Sequence, residues 1–271
     1  MIKRVGLLIS VLLLGACAYV NNSHPRNALP LKAGERRFSY GIASTNQISC
    51  LGRYKPDTLN EEIQSGASNN NALQTPMLSD YGLGNGYALG FQGEISIGPG
   101  FNGNVYDQLY AEFTLGYDLK VNVQKSFNLG QNTYFAVFPG GEIAKGIEPI
   151  GNNYRNRYER LSLELPITVS KLYEYSPNVE HIFSLTARGA MDWLHSDING
   201  PGEGAWSTID YLDQPLNRFQ RYAIMGHMDI RIRKNINITL QGGTELSSGE
   251  SSAKWGPIFY LGMVRKMKPL F

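Results

Sequence analysis

The chain has 271 residues, of which 42% are hydrophobic, 18% charged and 11% aromatic. That length can bury a core, and 30 glycines with 13 prolines are too few for collagen or low-complexity disorder. Two cysteines exclude a disulfide scaffold and a four-cysteine zinc site, and a formal net charge of +2 offers no basic surface for nucleic acid. Residues 1–17 read M-I-K-R-V-G-L-L-I-S-V-L-L-L-G-A-C. Lys3 and Arg4 precede an apolar run, Val5 to Leu14, that only Gly6 and Ser10 interrupt. A permanent membrane helix needs roughly 20 residues, so this shorter run reads as a secretion signal over residues 1–16.

Leu14-Gly15-Ala16-Cys17 closes the run and resembles the lipobox of bacterial lipoproteins. The resemblance implies cleavage before Cys17 and acylation of its thiol and of the new amine. Ala18, in place of Asp, implies delivery to the outer membrane. Removing Lys3 and Arg4 balances the mature chain at 23 basic and 23 acidic residues. Cys50 is then the lone thiol and reads as a quiet loop cysteine. Residues 17–35, with Asn21, Asn22, Ser23, Pro25 and Pro30, read as a lipidated tether.

Residues 36–85 read as an irregular segment. Phe38, Tyr40 and Ile42 alternate with small or polar neighbours and suggest a strand. Thr58-Leu59-Asn60-Glu61 matches a capping box that Gly66 would end. From residue 86 the pattern changes to period 2, the spacing of a strand. Tyr87, Leu89, Phe91, Ile95 and Ile97 form one run, followed by a Gly/Pro/Asn turn at 98–104. Leu109 to Gln124 alternates without a break. Runs at 131–144, 161–170, 183–193, 221–233, 236–246 and 255–264 follow, with a tight turn at Lys234-Asn235.

These runs are longer than the strands of most soluble sheets, and short connections alternate with longer ones, as in antiparallel barrels of the outer membrane. The body, residues 86–271, therefore resembles a small outer-membrane β-barrel: all-β, closed, antiparallel and up-and-down. Taking 105–125 as one strand gives about eight strands, the preferred count. If Gly116-Tyr117-Asp118 is a hairpin loop and 36–45 joins, there are ten. Tyr87, Tyr173, Trp193, Tyr222 and Trp255 fall near strand ends, where a membrane barrel carries aromatic girdles.

The face opposite the apolar one carries Glu94, Glu112, Glu164, Arg188, His227, Asp229, Arg231 and Glu245, together with Lys120. In a membrane barrel these would form a polar lumen network, since buried charges must pair. Ser184, His227 and Glu164 share that face and permit the thought of a hydrolase, but a salt-bridge network explains the same residues. His181, His195 and Asp197 lack metal-ligand spacing, and Gly82, Gly84, Gly86 and Gly90 precede a strand rather than a helix, so they form no phosphate cradle. No cofactor, metal or catalytic set is expected. The reading is a lipid-anchored outer-membrane barrel with a structural, docking or surface-contact role. Its expected partners are membrane lipids and, through the aromatic-rich loop 196–217, envelope or extracellular proteins. A soluble tethered barrel binding apolar cargo and a lipid-modifying enzyme are the alternatives.

Overall fold

The structure, a computed structural model, describes residues 19–21, 23–47, 73–100, 112–150, 154–176, 179–199, 217–232, 236–248 and 253–267. All regular structure among them is β. The strands are β1 (Tyr19–Asn21), β2 (Arg36–Gln47), β3 (Leu73–Gln74), β4 (Met77–Gly84), β5 (Tyr87–Gly100), β6 (Glu112–Gly130) and β7 (Thr133–Val137). They continue with β8 (Gly140–Ile150), β9 (Tyr154–Ser176), β10 (Val179–Asn199), β11 (Asn217–Ile232), β12 (Ile236–Ser248) and β13 (Ala253–Met267). Each strand pairs antiparallel with its neighbours, and β2 pairs with β13 on one side and β4 on the other, so the sheet closes. Two staves are interrupted by proline, which cannot donate to the ladder. One runs β3–β4 around Thr75-Pro76 and the other runs β7–β8 around Phe138-Pro139. The result is a ten-stave barrel with β1 as an extra strand on β2.

The barrel begins at Arg36, not at residue 86, because β2 and β3–β4 complete the ring. In β4 the buried Leu78, Asp80 and Gly82 alternate with the exposed Met77, Ser79, Tyr81 and Leu83. This period 2 is hidden in the sequence by small and polar residues on both faces. Gly116-Tyr117-Asp118 is not a loop: it lies inside β6, paired to β5 and β8. The expected capping box at 58–61, Cys17 and Cys50 lie outside the described residues.

The two ends of the barrel differ. At one end Asn85-Gly86 and Gln131-Asn132 turn β4 into β5 and β6 into β7, with all four residues at positive φ, the geometry of tight hairpins. Residues 177–178 and 233–235 make the other two connections there. The opposite end carries the connections 48–72, 101–111, 151–153, 200–216 and 249–252. β2 starts and β13 finishes at the short-turn end, with Arg36 opposite Met267.

The polarity of the wall is inverted relative to a soluble barrel. Leu161, Leu163, Leu165, Ile167 and Val169 of β9 point outward, as do Leu185, Ile224, Leu240 and Leu261 of β10 to β13. Glu164, Thr168, Arg188, Asp192 and Gln241 point inward and are buried. Tyr81, Tyr87, Phe127 and Tyr173 ring the outer wall at the short-turn end, and Tyr222 and Trp255 lie side by side with Leu246 between them at the other. On β9 the outward face is apolar from Leu161 to Val169 and is closed by Lys171, and the stretch from Leu161 to Lys171 at about 3.3 Å per residue and a tilt of about 40° spans about 25 Å. The exposed pair Lys145–Glu159 marks its upper margin. This is the wall of an outer-membrane-type barrel. Leu165 lies at mid-height, so Leu165→Arg is expected to cost about 2–4 kcal/mol of folding free energy in a bilayer, measured by urea titration in lipid vesicles. A loss below about 0.5 kcal/mol would mean that Leu165 does not face lipid.

Candidate functional site, a threaded polar lumen

Two systems fill the lumen. The first is a closed ring of ion pairs on the inner wall, in the half toward the long connections. Arg221 of β11 donates to both carboxylate oxygens of Asp192, from Nε at 2.6 Å and Nη2 at 2.9 Å. Asp192 also accepts from Arg160 at 3.0 Å, and Arg160 meets Glu142. Lys120 stands between Glu142 at 3.4 Å and Glu164 at 3.0 Å. Glu164 lies 3.9 Å from Arg188, Arg188 bonds Glu245, and Glu245 lies 3.7 Å from Arg221, closing the circle. Cation and anion alternate all the way round, so each buried charge has two opposite neighbours. Asp118 adds a side branch on Arg160 at 3.3 Å. Strand alternation puts all nine on the inner face, and the register of β6 through β12 brings them to a common height.

The second system is the chain itself. Residues 23–34 run inside the barrel. His24 donates its backbone N–H to the Gln241 side-chain oxygen at 3.0 Å and accepts from the Gln241 amide at 3.0 Å. Its ring meets the edge of Phe138 at 4.6 Å, where the proline break in the β7–β8 stave turns that phenylalanine inward beside Ala28 and Ala136. Arg26 donates from Nε to Asp80 at 2.8 Å and from Nη2 to the Phe91 carbonyl at 3.1 Å. Arg37 holds the other Asp80 oxygen at 2.8 Å. Asn27 donates to Asp229 at 2.6 Å, Ala28 donates to Ser170 at 2.8 Å, and the Leu29 carbonyl accepts from Gln124 at 3.2 Å.

The direction of this thread follows from register. β1 pairs Tyr19, Val20 and Asn21 with Gln47, Asn46 and Thr45, at the long-connection end of β2. His24 sits at Gln241, which is opposite Tyr260, itself opposite Ala43. Arg26 reaches Asp80, opposite Arg37, and Gly34 donates to the Gly82 carbonyl at 2.9 Å near the short turns. The backbone here passes so close that a Cβ on Gly82 would sit 2.1 Å from the Lys32 carbonyl oxygen, which is why glycine is needed there. The segment therefore enters at one end of the barrel and leaves at the other. Residues 23–34 are not a free tether: the side chains of Arg26 and Asn27 and the backbone groups of His24, Ala28 and Leu29 find partners on the wall that water would otherwise supply.

The expected lumen residues separate into groups. Glu164, Arg188 and Glu245 belong to the ring. Asp229 serves the thread and also accepts from Thr239. Arg231 pairs with Glu180 at 3.1 Å at the short-turn end. Glu94 and Glu112 lie on β5 and β6, with side chains outside the described residues. His227 stands opposite Ser184 in register, yet neither of its ring nitrogens bonds a described residue, and the Ser184 hydroxyl pairs with Ser170 at 2.8 Å. Among the described residues Ser184, His227 and Glu164 are not assembled as nucleophile, base and acid. Among the described residues no group of His, Cys, Asp and Glu could hold a metal. Among the described residues the lumen is lined mainly by paired charges and polar side chains rather than by apolar ones. The apolar concavity described, about 520 Å³ beside Tyr40, Ile42, Met77, Leu261 and Met263, opens on the outer wall instead.

Lys120, one of the expected lumen charges, joins the ring; the ring partners Glu142, Arg160, Asp192 and Arg221, and the thread partners Arg26, Arg37 and Asp80, stand outside the expected lumen set. The signal for the wall residues is parity with the inward positions of their own strands.

No family model and no curated protein matches the chain. Among solved structures it is similar to the outer membrane protease OmpT from Escherichia coli, with a TM-score of 0.44 and 9% identity, over 93% of this chain and 99% of that one.

Proposed function

We propose that the protein is a bacterial outer-membrane lipoprotein whose barrel is a closed, membrane-embedded platform. Its role is to hold the long connections at one membrane face as a contact surface for envelope or extracellular partners. One observation carries this reading: the lumen is occupied twice over, by a ring of paired charges and by residues 23–34, so a general pore is unsuited to it. Small barrels fill their interiors with side chains and work through their loops. The lipoprotein part rests on Leu14-Gly15-Ala16-Cys17.

The test combines folding and conductance. The purified protein is expected to migrate faster on gels when unboiled than when boiled. It should give no sustained current in planar bilayers, and the Cys17→Ser variant should stay in the membrane fraction. Release of that variant into aqueous buffer would overturn the membrane barrel, and a steady open-channel current would overturn the platform.

A further inference from the structure

We infer that the mature N-terminus, with the acyl chains on Cys17, lies at the long-connection end of the barrel and anchors in the outer leaflet, so the chain threads its own barrel and is tied to the membrane from the outside. This rests on the lipoprotein reading for the presence of acyl chains and on the structure for their side.

The argument is one of reach. Tyr19 is fixed on β2 opposite Gln47, at the end that carries the long connections. Cys17 is two residues earlier, and an extended chain covers at most about 3.6 Å per residue, so it lies within about 7 Å of Tyr19. The short-turn face is about 25 Å away along the apolar belt, judged from β9. With the thread seated, no acyl chain on Cys17 starts from that face. Short turns face the periplasm and longer loops face outward in such barrels, which assigns the anchor to the outer surface. The thread is held along its length by side chains from five different strands, β4, β6, β9, β11 and β12, so its path is set by the wall and not by one contact.

The experiment inserts a short epitope between Ala18 and Tyr19 of the full-length protein in the outer membrane of a Gram-negative host fed an alkyne fatty acid. The expected result is equal antibody staining of intact and permeabilised cells, on a band that carries the fatty-acid label and keeps its heat-dependent mobility. Staining that appears only after permeabilisation overturns the proposal. A band without label, unlike Cys17 in a lipoprotein, sinks the lipoprotein reading alone, since staining still reports the side of the N-terminus. A second variant avoids the insertion: Asn27→Cys with Asp229→Cys in a Cys50→Ser background. Because Asn27 and Asp229 are hydrogen-bonded in the lumen at 2.6 Å, a short bifunctional thiol reagent is expected to join the two cysteines, seen as a mobility change. Two free thiols, both modified by a periplasmic reagent, would show that the segment does not occupy the lumen.

Discussion

Arg221→Met is expected to destabilise the barrel by about 3–5 kcal/mol, the usual cost of removing one partner from a buried ion-pair network. Arg221 supplies two hydrogen bonds to Asp192, one to Ser162 at 3.3 Å, and lies 3.7 Å from Glu245. Methionine keeps most of the volume but removes the charge, leaving Asp192 to Arg160 and Glu245 to Arg188. The double variant Arg221→Met with Asp192→Leu should recover at least half of the loss. It opens the ring into a chain running from Arg160 through Glu142, Lys120, Glu164 and Arg188 to Glu245, in which every charge keeps a partner. Urea titrations of Arg221→Met, Asp192→Leu and the double variant in lipid vesicles measure the costs and their coupling. If the double variant loses as much as the sum of its two singles, the ring is not the unit that holds these charges.

The second large effect falls on the thread. Asp80 holds Arg26 of the thread and Arg37 of the wall on its two oxygens, and all three side chains are buried. Asp80→Asn leaves two guanidinium groups facing a neutral amide, at an expected cost of about 3–5 kcal/mol. Arg26→Met leaves Asp80 with Arg37 and should cost only about 1–2 kcal/mol. The asymmetry is the signature: Asp80→Asn should expel residues 23–34, giving transient current in planar bilayers and fast amide exchange at Ala28 and Leu29. Arg26→Met should do so far less. Equal effects of the two variants would show that Asp80 is not the hinge between thread and wall.

The sequence makes faces legible and heights obscure. Period 2 in β10 and β11 assigns Arg188, Asp229 and Arg231 inward and Leu185 and Ile224 outward, and the structure has them so. It does not say which charges meet, because that depends on the stagger of one strand against the next. Arg160 meets Glu142 and Asp192 only through the pairings of β9 with β8 and β10. Asn85-Gly86 is a strong hairpin signal that a reading centred on the glycines at 82–90 passes over, and with it the strand β4. The thread is the hardest to see. A polar segment with two prolines and no period looks the same whether water or a lumen surrounds it. Its partners stand 54 positions away at Asp80 and 217 away at Gln241.

Those separations bear on how the molecule is made. Hydrogen bonds between residues so distant in sequence raise contact order and slow folding. Here they impose an order of events as well. A ring closed by β2 against both β13 and β4 cannot admit its own N-terminal segment sideways once shut. Residues 23–34 must be laid against the inner faces of β6, β9 and β11 while the sheet is still open, or be drawn in end-first. In the first case the thread acts as a mandrel on which the last seam is sewn. Refolding of a chain lacking that segment should then be limited by closure of the β2–β13 seam rather than by formation of the β9–β10–β11 sheet.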